Sequence, residues 1–267
     1  MQTFEIYNPN RPKSVIFFRG LYQKGAEQYK AGSFFHSIVD VPGHTVVFIN
    51  WPSYDYIPEL SAAQLEDLCI TFDITRPILL GSSYGGYAAL DFIADIKRNK
   101  VPLNPIGLIT LMSPVSAENL TIPRKLLKSL SHIGIGLIDL QSKITKKRLS
   151  SNRSDLARRK SMRNHPFSKE ELIDMPVLAV ATHGEPLLGR KLRWLPDTPD
   201  LTINNKKAAL DLQGLFTDVK ILEVEGSPLL FIKDKVLRIN SLGAHTITPE
   251  SWPLVIKTVT DFIQSRN

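Results

Sequence analysis

The chain has 267 residues, 43% hydrophobic and 22% charged, an ordinary globular composition that excludes disorder, collagen and low-complexity architectures. Lys and Arg total 33 against 26 Asp and Glu, a net charge of +7, and the segment 117–176 alone holds 13 basic and 6 acidic residues, leaving the remainder neutral at 20 of each. The single cysteine, Cys69, excludes an intrachain disulfide and any multi-cysteine metal site.

The first residues, MQTFEIYNPNRPKS, show no basic region leading into an apolar run, so no Sec signal peptide is expected. No stretch approaches the roughly 18 uninterrupted apolar residues of a membrane span. A cytoplasmic location is the expectation.

Along the chain, VIFFRG (15–20) and TVVFIN (45–50) read as strands, followed by a helix in SAAQLEDLCITF (61–72) with a Ser N-cap. Cys69 falls in that helix and reads as a small buried hydrophobe. PILLGS (77–82) is the third strand, and YGGYAALDFIADIKRNK (84–100) a helix whose basic end suits its dipole. PIGLITLMS (105–113) is the fourth strand. After the insertion come PVLAVAT (176–182), the helix NKKAALDLQGLF (205–216) and the strand VKILEVEG (219–226). An extra hairpin (LLFI, then KVLRI) and the terminal helix PESWPLVIKTVTDFIQ (249–264) close the chain.

Each strand is near-continuously apolar, as strands buried on both faces are. Alternation of strand and helix predicts an α/β fold with a mostly parallel, doubly wound sheet. The segment 117–176 breaks the rhythm with amphipathic, basic, helix-like sequence. The predicted organisation is therefore a core of 1–116 and 177–267 carrying a basic helical insertion.

The run PILLGSSYGGYAAL contains G-x-S-x-G as Gly81, Ser82, Ser83, Tyr84 and Gly85. It follows an apolar strand and opens a helix, the setting of a nucleophile elbow. So tight a turn forces the central residue into strained φ/ψ, and small neighbours two positions either side let the chain segments approach. Ser83 is the candidate nucleophile.

On these residues the chain resembles the α/β-hydrolase family, over most of its length outside the basic insertion. The resemblance implies the order Ser, acid, His. For the base it points to His245, in INSLGAHTITPESW after the last strand, where it would accept the Ser83 proton and return it to the leaving group. The 17 residues SPLLFIKDKVLRINSLG ahead of it are a departure from the family pattern.

The acid is displaced from its usual place. His183 and Gly184 match the family's strand end, but the Asp is missing there; counting back from the next helix makes Asp200 the preferred acid. Glu185 is the alternative, and Asp197 a further one. Its task is to hold the imidazole tautomer and stabilise the imidazolium. For the oxyanion hole the resemblance implies the backbone N–H groups of Tyr84 and of Leu21, the latter in Arg19-Gly20-Leu21, where relatives commonly carry His-Gly-x. Arg19 reads as bracing that loop or as binding a substrate anion. Tyr54, Asp55 and Tyr56 are expected along the approach, with no assigned role.

In the resembling family an insertion after the fourth predicted strand forms a cap over the site. Here residues 143–163 carry Lys143, Lys146, Lys147, Arg148, Arg153, Arg158, Arg159, Lys160 and Arg163, opposed within that window only by Asp155. A solvated basic face, an anionic lipid surface, an acidic carrier protein and CoA phosphates all fit that charge. Nucleic acid is disfavoured, because the segment has one aromatic, Phe167, and no reader motif.

The resemblance thus implies a serine hydrolase acting on a carboxylic ester or thioester through an acyl-enzyme, with no cofactor or metal. The alternatives are acyl transfer by the same triad and a non-hydrolytic binding member of the fold. The substrate expected is a small-molecule or lipid acyl ester.

Overall fold

The computed structural model describes residues 4–20, 36–37, 41–49, 62–120, 162–183, 203–226, 230–233, 236–239 and 247–266. All six predicted sheet strands are present: β2 (Lys13–Phe18), β3 (His44–Ile49), β4 (Ile78–Ser82), β5 (Gly107–Leu111), β6 (Val177–His183) and β7 (Val219–Glu225). A further strand, β1 (Phe4–Tyr7), was not apparent in the sequence, where FEIY is too short to carry a pattern. The order across the sheet is β1-β3-β2-β4-β5-β6-β7. Only β1 runs antiparallel, pairing β3 from Phe4↔Ile49 to Tyr7↔Val46.

Among the described residues the α-helices are α1 (Ala62–Thr71), α2 (Tyr84–Asn99), α3 (Asn205–Leu215) and α4 (Trp252–Gln264). α2 ends in a left-handed C-cap at Lys100, φ 53, with Lys97 and Arg98 in its last turn. Asn204 caps α3 by accepting the Lys207 N–H at 3.0 Å. Pro253 lies in the first turn of α4, where its missing N–H breaks no helical bond.

Every residue of β3, β4 and β5 is buried, so these strands read as unbroken apolar runs. Alternation then divides them between two layers. Ile16, Phe18, Val47, Leu79, Leu108 and Ala179 join Leu90 and Ile93 of α2 and Leu212 of α3 in one cluster. Val15, Phe17, Val46, Leu80, Ile109 and Val180 join Val255, Val259 and Phe262 of α4 in the other. Helices therefore cover both faces of a mostly parallel sheet. The predicted hairpin is also present, β8 (Leu230–Lys233) pairing antiparallel with β9 (Val236–Ile239).

Cys69 is buried in α1, 2% exposed, and burial pushes its thiol up to about 12. At the two ends of 117–176, Leu120, Met162, Phe167, Leu172 and Met175 are buried against the α2 side of the sheet. The stretch between, 121–161, lies outside the described residues.

Candidate active site

Parallel pairing from β2 to β7 brings the carboxyl ends of these strands to one edge of the sheet. In open α/β sheets that edge is where ligands bind. Ser83 stands there, directly between β4 and α2.

Its backbone is φ 53, ψ −126, a conformation that costs a non-glycine residue roughly 1–3 kcal/mol and persists only where the surroundings impose it. They do so from several sides. The Ser83 N–H donates to the Leu111 carbonyl at 2.8 Å, extending the β4–β5 ladder into the turn. The Ser83 carbonyl accepts the Gly86 N–H at 3.0 Å, which starts the helix. Ser113 Oγ braces the same corner, donating to the carbonyls of Leu111 at 3.0 Å and Gly81 at 3.3 Å.

The flanking glycines are required by contact. A Cβ on Gly81 would overlap the Gly86 backbone, coming 2.5 Å from its nitrogen. One on Gly86 would strike the Ser113 side chain. One on Gly85 would collide with the Phe18 carbonyl and lie 2.7 Å from that of Arg19. The last contact seats the first turn of α2 against the end of β2, just where the chain continues through Gly20 toward Leu21. Tyr84 opens the helix, so its N–H lies at the positive end of the helix dipole.

His245, Asp200 with its alternatives Glu185 and Asp197, and Leu21 lie outside the described residues, as do Tyr54, Asp55 and Tyr56. The chain on either side of them is described. Gly226 and Ile247 form an antiparallel bridge, so the excursion that carries His245 leaves and rejoins the fold at the end of β7. The Gly226 N–H donates in turn to the His183 carbonyl at 2.9 Å, joining that point to the end of β6. The segment that holds the candidate acids follows β6 after His183, and the described chain resumes at Ile203, which bridges Leu120. The segments of all the candidates thus depart from carboxyl ends of parallel strands.

Two further described histidines, His44 and His165, stand elsewhere. His44 is at the opposite, amino end of β3, buried, with Nδ1 2.9 Å from the Pro42 carbonyl. His165 is exposed, with Nδ1 2.6 Å from a Glu118 carboxylate oxygen. Among the described residues no group of three His, Cys, Asp or Glu is arranged to hold a metal ion.

Two polar positions near the site carried no sequence signal. Tyr87, one turn beyond Tyr84 with rings 5.7 Å apart, accepts the Arg163 N–H at 3.1 Å and faces Phe167 at 6.0 Å. Asn119, fully buried, holds the point where the chain leaves β5. Tyr87 meets Arg163, 76 positions away, and Asn119 meets Asp211, 92 positions away, contacts that no local pattern reports.

No protein-family model matches the chain, and no curated protein is significantly similar to it in sequence. Solved structures match over nearly its whole length. A hydrolase from Oleispira antarctica aligns with a TM-score of 0.59 at 11% identity, over 98% of this chain and 94% of its own. The Paleococcus ferrophilus monoacylglycerol lipase aligns with a TM-score of 0.57 at 14% identity, over 99% and 98%. A thioesterase of the prodiginine pathway of Streptomyces coelicolor gives 0.57 at 15%, over 94% and 85%. The sheet order, the strained Ser83 and these likenesses establish the α/β-hydrolase fold.

Proposed function

We propose that the protein is a serine hydrolase that cleaves a carboxylic ester or thioester. The observation that carries this reading is Ser83: a non-glycine residue at φ 53, locked between strand and helix by three glycines at the carboxyl edge of the sheet. Nothing in a merely structural turn calls for serine there, since glycine would avoid the strain.

In this reading Ser83 Oγ attacks the acyl carbon while His245 takes its proton. The tetrahedral oxyanion is held by the N–H groups of Tyr84 and Leu21. Collapse breaks the bond to the alcohol or thiol, which leaves with the proton from His245. Water, deprotonated by His245, then attacks the acyl-enzyme; collapse breaks the bond to Ser83 Oγ, which takes that proton back from His245, and the acid is released. Asp200, or Glu185 in its place, fixes the imidazole tautomer and balances the imidazolium. No cofactor or metal enters these steps.

The organisation proposed with it is a core of 1–116 and 177–267, with 117–176 as a basic cap. The cap would receive an acyl substrate from an anionic lipid surface or an acidic carrier, in the cytoplasm. Among the described residues no helix is long and apolar enough to cross a membrane.

A fluorophosphonate probe tests the chemistry. The protein should be labelled, and Ser83→Ala should abolish labelling. Labelling that survives the substitution refutes the assignment.

A further inference from the structure

Residues 117–120 join three stretches of chain that are remote in sequence. The Ala117 N–H donates to the Arg163 carbonyl at 2.9 Å, so the start of the basic segment is fastened to its return. Glu118 lies 2.6 Å from His165 Nδ1 and 3.1 Å from Lys207 Nζ, and these two neighbours hold its carboxyl below the usual range. Leu120 bridges Ile203.

Asn119 is at the centre and is fully buried. Its Oδ1 accepts the N–H groups of Val115 at 2.7 Å and Ser116 at 2.9 Å. Its Nδ2 donates to the Asp211 carboxylate of α3 at 2.7 Å. Its backbone carbonyl accepts the Asn204 N–H at 2.6 Å. Asn205 Nδ2 in turn donates to Thr182 Oγ1 of β6 at 2.8 Å. A buried amide satisfied in this way has one placement, because every shift leaves a polar group without a partner in a low-dielectric interior. The titratable groups around it are Asp211 and Lys207 of α3, 3.6 Å apart, with Glu118 and His165 beyond.

Asn204 and Ile203 are the first described residues after the loop that carries the candidate acids, and Asp200 precedes Ile203 by three positions. Resting on the hydrolase reading with Asp200 as its acid, we infer that Asn119 is a positioning residue for that acid, tying the downstream end of its loop to the base of the basic segment. The reach of the carboxylate to the imidazole then depends on an amide from another part of the chain.

The test uses the full-length protein, with fluorophosphonate labelling rates and p-nitrophenyl butyrate hydrolysis followed against pH. Asn119→Ala should lower kcat by about tenfold or more, as misplaced catalytic groups do, with KM within about twofold. The acid limb of its profile should move to lower pH, since the imidazolium loses its carboxylate. Asn119→Asp, which still accepts from Val115 and Ser116 but sets two carboxylates together, should behave alike. The swap N119D/D211N should restore both rate and limb, because the donor now comes from position 211. Asp174→Ala, which breaks hydrogen bonds to Thr217 away from the site, should lower the melting temperature and leave the limb in place. Should Asn119→Ala fail to fold, the pair N119D and N119D/D211N decides. An unmoved limb in a folded Asn119 variant, or no recovery in the swap, overturns the inference alone. Absence of labelling in the wild type overturns the hydrolase reading, and this inference with it.

Discussion

Ser83 donates its backbone N–H to the Leu111 carbonyl at 2.8 Å, so the β4–β5 ladder continues into the residue whose φ is 53. The strained residue is thereby held by the sheet on one side and by the Gly86 N–H of the helix on the other. Met112, the residue after Leu111, is itself at φ 45, with its N–H on the Val180 carbonyl at 2.8 Å. Two neighbouring strand ends therefore leave the sheet through left-handed residues.

Relieving that strain should show in stability. Ser83→Gly and Ser83→Ala both remove the hydroxyl, but only glycine adopts the left-handed conformation at no steric cost. The glycine variant should be more stable than the alanine variant by about 1 kcal/mol. Urea denaturation of the two variants measures the difference.

Gly85→Ala should be costly in a different way. Its methyl would press on the carbonyls of Phe18 and Arg19, which are backbone and cannot rotate aside. Separation of α2 from the end of β2 should cost about 1–3 kcal/mol and strongly slow fluorophosphonate labelling. A variant that melts and labels like the wild type would contradict the close packing.

The thiol of Cys69 is buried and displaced to about 12, so its thiolate is scarce at neutral pH. Iodoacetamide at pH 8 should modify the native protein far more slowly than the urea-unfolded chain. Labelling of Ser83 should be indifferent to prior thiol treatment.

His44 gives a pH dependence of stability. Burial, and to a smaller degree the charge of Lys13, lowers its folded-state pKa below the usual 6.5. The folded state binds the proton less readily than the unfolded chain, so stability is complete above about pH 6.5 and declines as pH falls below it. A His44→Gln variant should show a flatter melting temperature between about pH 7.5 and 5 in buffer series. Identical slopes would mean that the histidine is not a source of the acid sensitivity.

The basic segment should affect encounter and not chemistry. Neutralising Arg158, Arg159 and Lys160 together should raise KM for an acyl substrate presented on anionic vesicles, or weaken vesicle binding, while turnover of a small neutral ester stays nearly intact. Equal losses on both would return these residues to the role of a solvated face.

Much of the architecture was legible because burial on both faces leaves an unbroken apolar signature, and the elbow because a turn this tight accepts so few residues. Gly81, Gly85 and Gly86 announce in sequence the contacts they later make. The edge strand β1 was not legible, since four half-buried residues have no periodicity to read. Neither was the reach of Asn119, which closes a short 3-10 turn in SAENL and whose amide meets Asp211, 92 positions away.

Local chemistry alone, then, determined strands β2 to β7, helices α1 to α4 and the identity of the candidate nucleophile. These depend on side-chain period and on backbone sterics, which act between near neighbours. Only the tertiary structure decided that Ile203 and Asn204, which follow the segment of the candidate acids, meet Leu120 and Asn119, and that Ile247, just after His245, bridges Gly226 at the end of β7. Those arrangements arise from hydrogen bonds between groups far apart in sequence, which no local pattern of side chains encodes.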